Sequence, residues 1–509
     1  MSAAILRSGA KQRFERGGHV KTPICDFVRD YAASDTIRMH MPGHKGRAED
    51  EQLSKIAQYD ITEIAGADEL FHPTSIIAES EANASEIFGC DTYYSTEGSS
   101  LCIRAMLHLC MMHSMAPAAA PDNATPAAAS DNAAPAAASD STAPAAADTP
   151  ATPRPWVLAA RNVHESFVSA CALLGIDAEW IVSPNITLLS VDIDADDVAK
   201  ALASGISSHG SLPCCVYITS PDYAGHILPI KEIADACHKE NVPLVVDNAH
   251  GAYLKFLEPS VHPMDLGADM CCDSAHKTLP VLTGGAYLHV ASREKFTAER
   301  VKNSMQFFAS TSPSWLILQS LDRANLWLSE GGKALFRKTE EKVGRIRASL
   351  TDGGLSCYGE DTMKITILTR DFGYTGTEFA SILREQKIEV EFSDPDMIVL
   401  MITPKNTERE LEKLRKILLS IPKRKALANE VCDSAFFPEK KMTIRSASLC
   451  SWETIPLEKA IGRIAAMGSF SCPPAVPIVM PGEVIGKEEI ASFKYYGYTQ
   501  CKVVALYSY

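Results

Sequence analysis

The stretch Leu244–Gly251 reads LVVDNAHG, and Met270–Thr278 reads MCCDSAHKT. Each is a short apolar run that ends in an aspartate and is followed by small residues and a histidine. A run of three or four apolar residues without polar alternation marks a strand buried on both faces, as in a parallel sheet covered by helices. The same pattern extends outward. WVLA at Trp156–Ala159, Glu179–Val182, CVYIT at Cys215–Thr219 and Ala286–Val290 read as strands, and Gly284-Gly285 marks the turn before the last of these. Helical stretches at His164–Leu174, Asp194–Ala203 and Ile230–Glu240 lie between them. Short strands alternating with helices predict an α/β fold with a mostly parallel sheet.

Beyond about residue 330 the texture changes. A long charged helix is expected at Lys333–Leu350. Lys364–Leu368, Thr377–Gln386, Glu389–Phe392, Ile398–Ile402 and Thr407–Leu419 then read as βαββα, a small α+β domain. The end of the chain holds a Pro-rich loop at Phe470–Glu483 and a last helix and strand. The expected organisation is an N-terminal segment 1–50, a large domain 51–330, a small α+β domain 331–440 and a C-terminal α+β region 441–509. From Ala116 to Pro155 the sequence is almost all Ala, Pro, Ser, Thr, Asp and Asn, with PAAA starting at Pro117, Pro126, Pro135 and Pro144. Such a tract has no large apolar side chain to offset its ordering entropy, so it is expected to be a disordered insertion.

Composition narrows the function. The 49 basic and 63 acidic side chains give a net charge of −14, against a nucleic-acid partner, which requires a basic surface. No apolar run is long enough for a membrane span, and the polar start MSAAILRSGAKQRFERGGH does not read as a secretory signal. Fifteen cysteines are too few for a disulfide framework, and Cys214-Cys215 and Cys271-Cys272 sit in core-like runs, so reduced thiols in a cytoplasmic enzyme are expected. Neither CxxC nor HExxH spacing occurs, and no metal site is expected. Between His40 and His44, Pro42-Gly43 prevents a shared helical face.

Four elements point to chemistry. Lys277 follows a buried strand in a Ser274-Ala275-His276 context, where desolvation can free the amine as a Schiff-base nucleophile, although a solvated loop lysine is the plainer reading. Asp247 ends the LVVD strand, where open α/β sheets bind ligands, although a helix cap is the plainer reading. Gly98-Ser99-Ser100 open a helix whose free N–H groups suit a phosphate, and ordinary capping is the commoner use of such residues. His164 in RNVHES offers a ring face for stacking, although a lone histidine is more often structural. A Ser-x-x-Lys match at Ser274–Lys277 fails as a penicillin-recognising site, because Ser130-Asp131-Asn132 lies in the Ala/Pro tract and no Lys-Thr-Gly follows. In this order the four are the parts used by pyridoxal-phosphate enzymes of the aspartate-aminotransferase fold.

Further motifs join these elements: MPGHKG (Met41–Gly46), DITE (Asp60–Glu63), DELFHP (Asp68–Pro73), the Gly/Ser loop, RNVHES and TSPDYAGH (Thr219–His226). DNAHGAY (Asp247–Tyr253), SAHKTLPVLTGG (Ser274–Gly285), STSPS (Ser310–Ser314) and CPPAVPIVMPGE (Cys472–Glu483) continue the series. In carrying them in this order the sequence resembles the Orn/Lys/Arg decarboxylase family. This resemblance implies a seven-stranded cofactor-binding sheet, with the Ala/Pro tract as a surface loop within one domain. With MPGHKG starting at Met41, the wing domain of larger members is not expected. The resemblance implies pyridoxal 5'-phosphate bound to Lys277, with Asp247 at the ring nitrogen, His164 stacked on the ring and His250 beside it. Gly98, Ser99, Ser100, Ser274 and His276 would secure the phosphate, and Ser310 and Thr311 would contribute across a homodimer or larger homo-oligomer with shared sites. Two residues depart from the pattern: Glu97 stands where the family usually has Asn, and Gly284 where Gln is common. The implied activity is decarboxylation of a basic amino acid to an amine that serves as a polyamine precursor. Asp60, Glu63, Asp68 and Glu69 are the acidic candidates for its far end. The alternatives are an aminotransferase of the same fold, with Arg370 as a candidate carboxylate ligand, and a non-catalytic homologue.

Overall fold

The computed structural model describes residues 20–115, 154–291, 294–428, 435–468 and 475–505. The Ala/Pro tract up to residue 153 and the first residues of the CPPAVPIVMPGE motif lie outside the described residues. Seven strands form the main sheet: β1 (Asp91–Ser95), β2 (Trp156–Ala159), β3 (Asp177–Trp180), β4 (Val216–Thr219), β5 (Leu244–Asp247), β6 (Met270–Asp273) and β7 (Ala286–Val290), in the order β1-β7-β6-β5-β4-β2-β3. Only β7 runs against its neighbours. The C-terminal ends of the other six therefore share one edge of the sheet.

Alternate side chains of these strands enter opposite layers. Tyr217, Val245 and Cys272 join the core that contains helices Ile76–Phe88, Gly98–Ser114 and Trp315–Trp327. Val216, Ile218, Leu244, Val246 and Cys271 join the core on the other side, with helices Ala195–His209 and Ile230–Lys239. The latter helix buries Ile230, Ile233, Ala234 and Cys237 on one stripe, the spacing an amphipathic helix needs. Helix Pro23–Ala32 from the N-terminal segment buries Ile24 and Val28 in the large core.

The sheet expectations hold with shifts of a few residues. The strand expected at Glu179–Val182 lies at Asp177–Trp180, and the helix expected at Asp194–Ala203 runs to His209, with Asp194 as its cap. The small α+β unit has an antiparallel sheet, β10-β11-β9-β8, made from β8 (Ser356–Tyr358), β9 (Lys364–Leu368), β10 (Phe392–Ser393) and β11 (Met397–Met401). Its first strand escapes sequence reading because three residues carry no periodicity. Its own core includes Ile365, Phe379, Ile398 and Leu414. Near the C-terminus β12 (Trp452–Pro456) pairs with β13 (Gln500–Val504) beside a fourth core.

The two ends of the Ala/Pro tract lie close together. Ser114, at the end of one helix, has its hydroxyl 3.1 Å from Cys214 Sγ, and the Cys214 N–H donates to the Trp156 carbonyl at 2.7 Å.

Candidate active site

The strand ends carry the predicted chemistry to one place. Asp247, 2 % exposed, closes β5. Its Oδ2 accepts from the Tyr217 hydroxyl at 3.1 Å, and its Oδ1 accepts from the Ala249 N–H at 3.1 Å, with Cys272 Sγ at 3.6 Å. Lys277 sits in the short helix Ala275–Thr278 that follows β6. Its Nζ lies 2.8 Å from His250 Nε2. Burial pushes the Lys277 ammonium down from its ordinary value; the Asp247 charge opposes this and Lys364 adds to it. Burial, then Lys277 and Lys364, push the His250 imidazolium well down too. A neutral imidazole that accepts at Nε2 keeps its proton on Nδ1, and His250 Nδ1 is buried without a protein partner. The pair therefore sits where burial disfavours the charged form of both groups.

His164 caps helix Glu165–Leu174. Its Nδ1 accepts the Ser166 N–H at 3.2 Å, and the residue is exposed, so the ring is fixed in direction and open to a ligand. The phosphate candidates also converge. Helix Gly98–Ser114 begins with Gly98 at φ +71°, and a Cβ built there meets nothing within 4 Å, so space lies open above the helix start. The Ser274 hydroxyl donates to Ser99 Oγ at 2.8 Å. His276 Nδ1 faces the Gly285 carbonyl at 3.0 Å. Thr311 is exposed.

Both departures from the family pattern have local explanations. The Glu97 carboxylate accepts the Ser310 N–H at 2.8 Å, so it is engaged by backbone. Gly284 adopts φ +97°, and a Cβ would come within 3.0 Å of the Thr96 carbonyl oxygen. Its own carbonyl accepts the Gly98 N–H at 2.7 Å, tying the lysine-bearing loop to the phosphate loop. This close approach leaves no room for a larger residue.

The N-terminal carboxylates have structural uses. Asp68 accepts N–H bonds from Thr74, Ser75, Ile77 and Ala78; burial alone would raise its carboxyl, and these bonds hold it below its ordinary value. Asp60 pairs with His44 at 3.2 Å and Glu69 with His72 at 3.0 Å, while Glu63 accepts from the Thr62 hydroxyl at 2.6 Å. Arg370 is engaged by the Ala428 carbonyl and lies 3.7 Å from Asp396 and over the Tyr495 ring.

Sequence reading missed Tyr223 and Glu391. The Tyr223 ring meets His250 edge-on at 5.0 Å, and its hydroxyl donates to Glu391 Oε1 at 3.1 Å. Glu391, from the small unit, places a negative charge that Lys277 feels. Nothing in its local pattern, VEFS leading into an edge strand, marks it as functional.

Behind the site, Asp273 is a fully buried hub. Oδ2 lies 3.1 Å from both His262 Nε2 and His289 Nε2, and Oδ1 accepts from Asn248 Nδ2 at 2.7 Å. Burial alone would raise this carboxyl, but the two histidines hold it well below the usual carboxylate range. With Cys271 these groups place four potential metal ligands within 4.8 Å of one another, which motif spacing did not foresee because they come from separate elements. His262 Nδ1 faces the Met264 N–H at 3.4 Å. That contact puts the His262 proton on Nε2, where it donates to Asp273, so hydrogen bonding accounts for the cluster.

This sheet order, with an aspartate ending one central strand and a largely enclosed lysine following the next, defines an enzyme of the aspartate-aminotransferase fold. Comparison with known proteins makes the class specific. Residues 139–356 match the profile of the Orn/Lys/Arg decarboxylase major domain, and residues 425–502 match that family's C-terminal domain. The chain is 29% identical over 500 residues to an arginine decarboxylase of Halalkalibacterium halodurans, with 92% of each chain covered. It is 28% identical over 507 residues to an arginine decarboxylase of Bacillus subtilis, again with 92% of each covered. A Francisella novicida lysine decarboxylase shares the fold at a TM-score of 0.74 and 16% identity, covering 96% of this chain and 81% of that one. The constitutive lysine decarboxylase of E. coli does so at 0.70 and 17%, covering 96% and 82%. The chain belongs to the Orn/Lys/Arg decarboxylase family and is a carboxy-lyase that acts on a basic amino acid. No helix among the described residues is long and apolar enough to cross a membrane.

Proposed function

We propose that the chain decarboxylates arginine, or failing that lysine or ornithine, with pyridoxal 5'-phosphate held covalently on Lys277. The observation that carries this is the Lys277 amine, 2.8 Å from a buried His250 and near Asp247 at the end of the neighbouring strand. The donor set fits the cofactor: open space over Gly98, converging Ser99 and Ser274 hydroxyls, an open His164 face and an unpartnered His250 Nδ1. When bound, the cofactor supplies a ring that accepts the electron pair left by departing CO₂.

The chain's own groups do the rest. Ser99, Ser100, Ser274 and His276, with the N–H groups at the start of helix Gly98–Ser114, hold the phosphate. Asp247, itself oriented by Tyr217, would keep a proton on the ring nitrogen. His164 would offer its open ring face for stacking. Lys277, whose ammonium is disfavoured by burial, would hold the cofactor and could return a proton to the product carbon. His250 fixes the Lys277 amine through Nε2. Glu391, oriented by Tyr223, receives the cationic end of the substrate.

We further propose a homodimer with shared sites, which brings Ser310 and Thr311 to the neighbouring subunit's site. Ile37, Met39 and Met41 are 81%, 87% and 68% exposed next to one another, a patch that a second copy would cover. The separate cores support a large domain 51–330, a small domain 331–440 and a C-terminal domain 441–509, with helix Pro23–Ala32 of the 1–50 segment packed on the first. The free thiols of the described cysteines suit a cytoplasmic setting.

The test incubates protein and pyridoxal phosphate with arginine, lysine, ornithine and the uncharged norleucine, and measures CO₂ and amine. Release from the basic substrates alone supports the proposal. Formation of a keto acid would establish the aminotransferase reading, and failure to develop a visible cofactor band the non-catalytic one. Glu391→Gln lowers kcat/KM for basic substrates by about tenfold or more, the value of a charge-assisted hydrogen bond.

A further inference from the structure

Two family motifs, RNVHES and MPGE, supply ionic groups with no part in the chemistry above. They meet each other. Arg161 is fully buried, and its Nη1 and Nη2 donate to the two carboxylate oxygens of Glu483 at 2.8 and 2.7 Å. Its Nη2 also reaches the Ile478 carbonyl at 3.3 Å. The guanidinium lies over the rings of Trp180 and Phe437, 5.6 and 5.3 Å from their centroids. Glu483 Oε2 accepts the Met480 N–H at 2.8 Å, which holds the carboxylate on its own turn. That turn requires Gly482, at φ +96°, where a Cβ would come 2.2 Å from the Met442 carbonyl oxygen.

Arg161 precedes His164 by three residues, and His164 caps helix Glu165–Leu174. The same helix is gripped at its other end. Arg445 Nη1 donates to the carbonyls of Ala172 and Leu173 at 2.7 and 2.9 Å, among the last-turn groups that a helix leaves without internal partners. Arg445 lies on helix Ile444–Leu449, which packs against helix Glu165–Leu174. The C-terminal region therefore holds this helix through a buried bidentate pair at its start and a forked cap at its end.

We propose that Glu483, Arg161 and Arg445 are positioning residues that set the place of the His164 ring, so that the C-terminal region acts as a clamp on the cofactor face. This rests on the stacking role proposed for His164. The clamp acts on the helix whether or not cofactor is bound, which lets the two ideas fail separately.

The test uses the full chain. Arg445→Met removes the forked cap, and Arg161→Met with Glu483→Met replaces the buried pair by apolar side chains, an exchange that often preserves stability. Hydrogen exchange is first measured without cofactor. The expected result is roughly tenfold faster exchange in helix Glu165–Leu174 with the β4 and β5 amides unchanged. With pyridoxal phosphate added, the visible circular dichroism band changes and kcat falls about fivefold to tenfold with little change in KM. Arg445→Lys restores part of each signal.

Unchanged exchange in Arg445→Met overturns the clamp, whatever the cofactor does. If the double variant does not fold, Arg445→Met decides alone. Faster exchange with an unchanged dichroism band and kcat also overturns the proposal, since the helix would then be held for stability only. A wild-type protein that develops no cofactor band would instead refute the function proposed above, with the exchange result still deciding whether the helix is clamped.

Discussion

Replacing Asp247 by asparagine separates folding from chemistry at one atom. The amide keeps the shape of the carboxylate, and its oxygen still accepts the Ala249 N–H now held at 3.1 Å. The Tyr217 hydroxyl, which donates to Oδ2 at 3.1 Å, has only to rotate and accept from the new amide. One neutral hydrogen bond exchanged for another costs about 1 kcal/mol, so the protein folds and still takes up cofactor. Turnover behaves differently. A charge-assisted bond to the ring nitrogen is worth roughly 1.5–3 kcal/mol, or about 10- to 150-fold in rate, before counting loss of the proton it retains. The assay is CO₂ release at saturating substrate and cofactor, with cofactor occupancy read from the visible absorbance of the same sample. Turnover within about threefold of wild type at full occupancy would refute the role given to Asp247.

Lys277→Ala is expected to abolish both the visible band and turnover, and a borohydride-reducible linkage surviving in that variant would place the covalent bond elsewhere. Deleting Pro117–Pro150 and joining the ends with a short Gly/Ser linker is expected to leave melting temperature and kcat/KM nearly unchanged, because Ser114 and Trp156 already meet at Cys214. A large fall in either would show that the tract supports the fold. Asp322 is pushed up to about 6 from 3.8, chiefly by burial, while its bonds to Ser80 and Cys25 oppose the rise. A raised acid contributes stability that is fully present below pH 3.8 and lost as pH rises through about 6. Asp322→Asn therefore removes a fall in unfolding free energy on the order of 3 kcal/mol between about pH 4 and 7, seen as a flatter melting-temperature profile. Parallel curves for variant and wild type would contradict this.

The sheet was readable because its strands are buried on both faces, so Leu244–Asp247 and Met270–Asp273 stand out as unbroken apolar runs. Lys277, Asp247 and His164 were readable because each follows or precedes such a run at a strand or helix end. Glu391 was not, because its meaning comes from the Tyr223 hydroxyl, which the fold brings from a distant loop. Asp68 and its neighbours looked like substrate ligands because composition reports charge without partners. Only the fold shows the backbone N–H groups that surround Asp68. The Arg161–Glu483 pair was hidden for the same reason: its halves lie in different motifs, and neither sequence states that it needs the other.

The Asp273 hub bears on how the enzyme is charged with cofactor. Its carboxylate is held by three chain segments, His262, Asn248 and His289, and it joins the loop carrying Asp247 to the strand that leads into Ser274 and Lys277. Those bonds all run to protein groups, so the cofactor proposed above would not have to order this carboxylate on binding, and its affinity would not be reduced by that part of the ordering entropy.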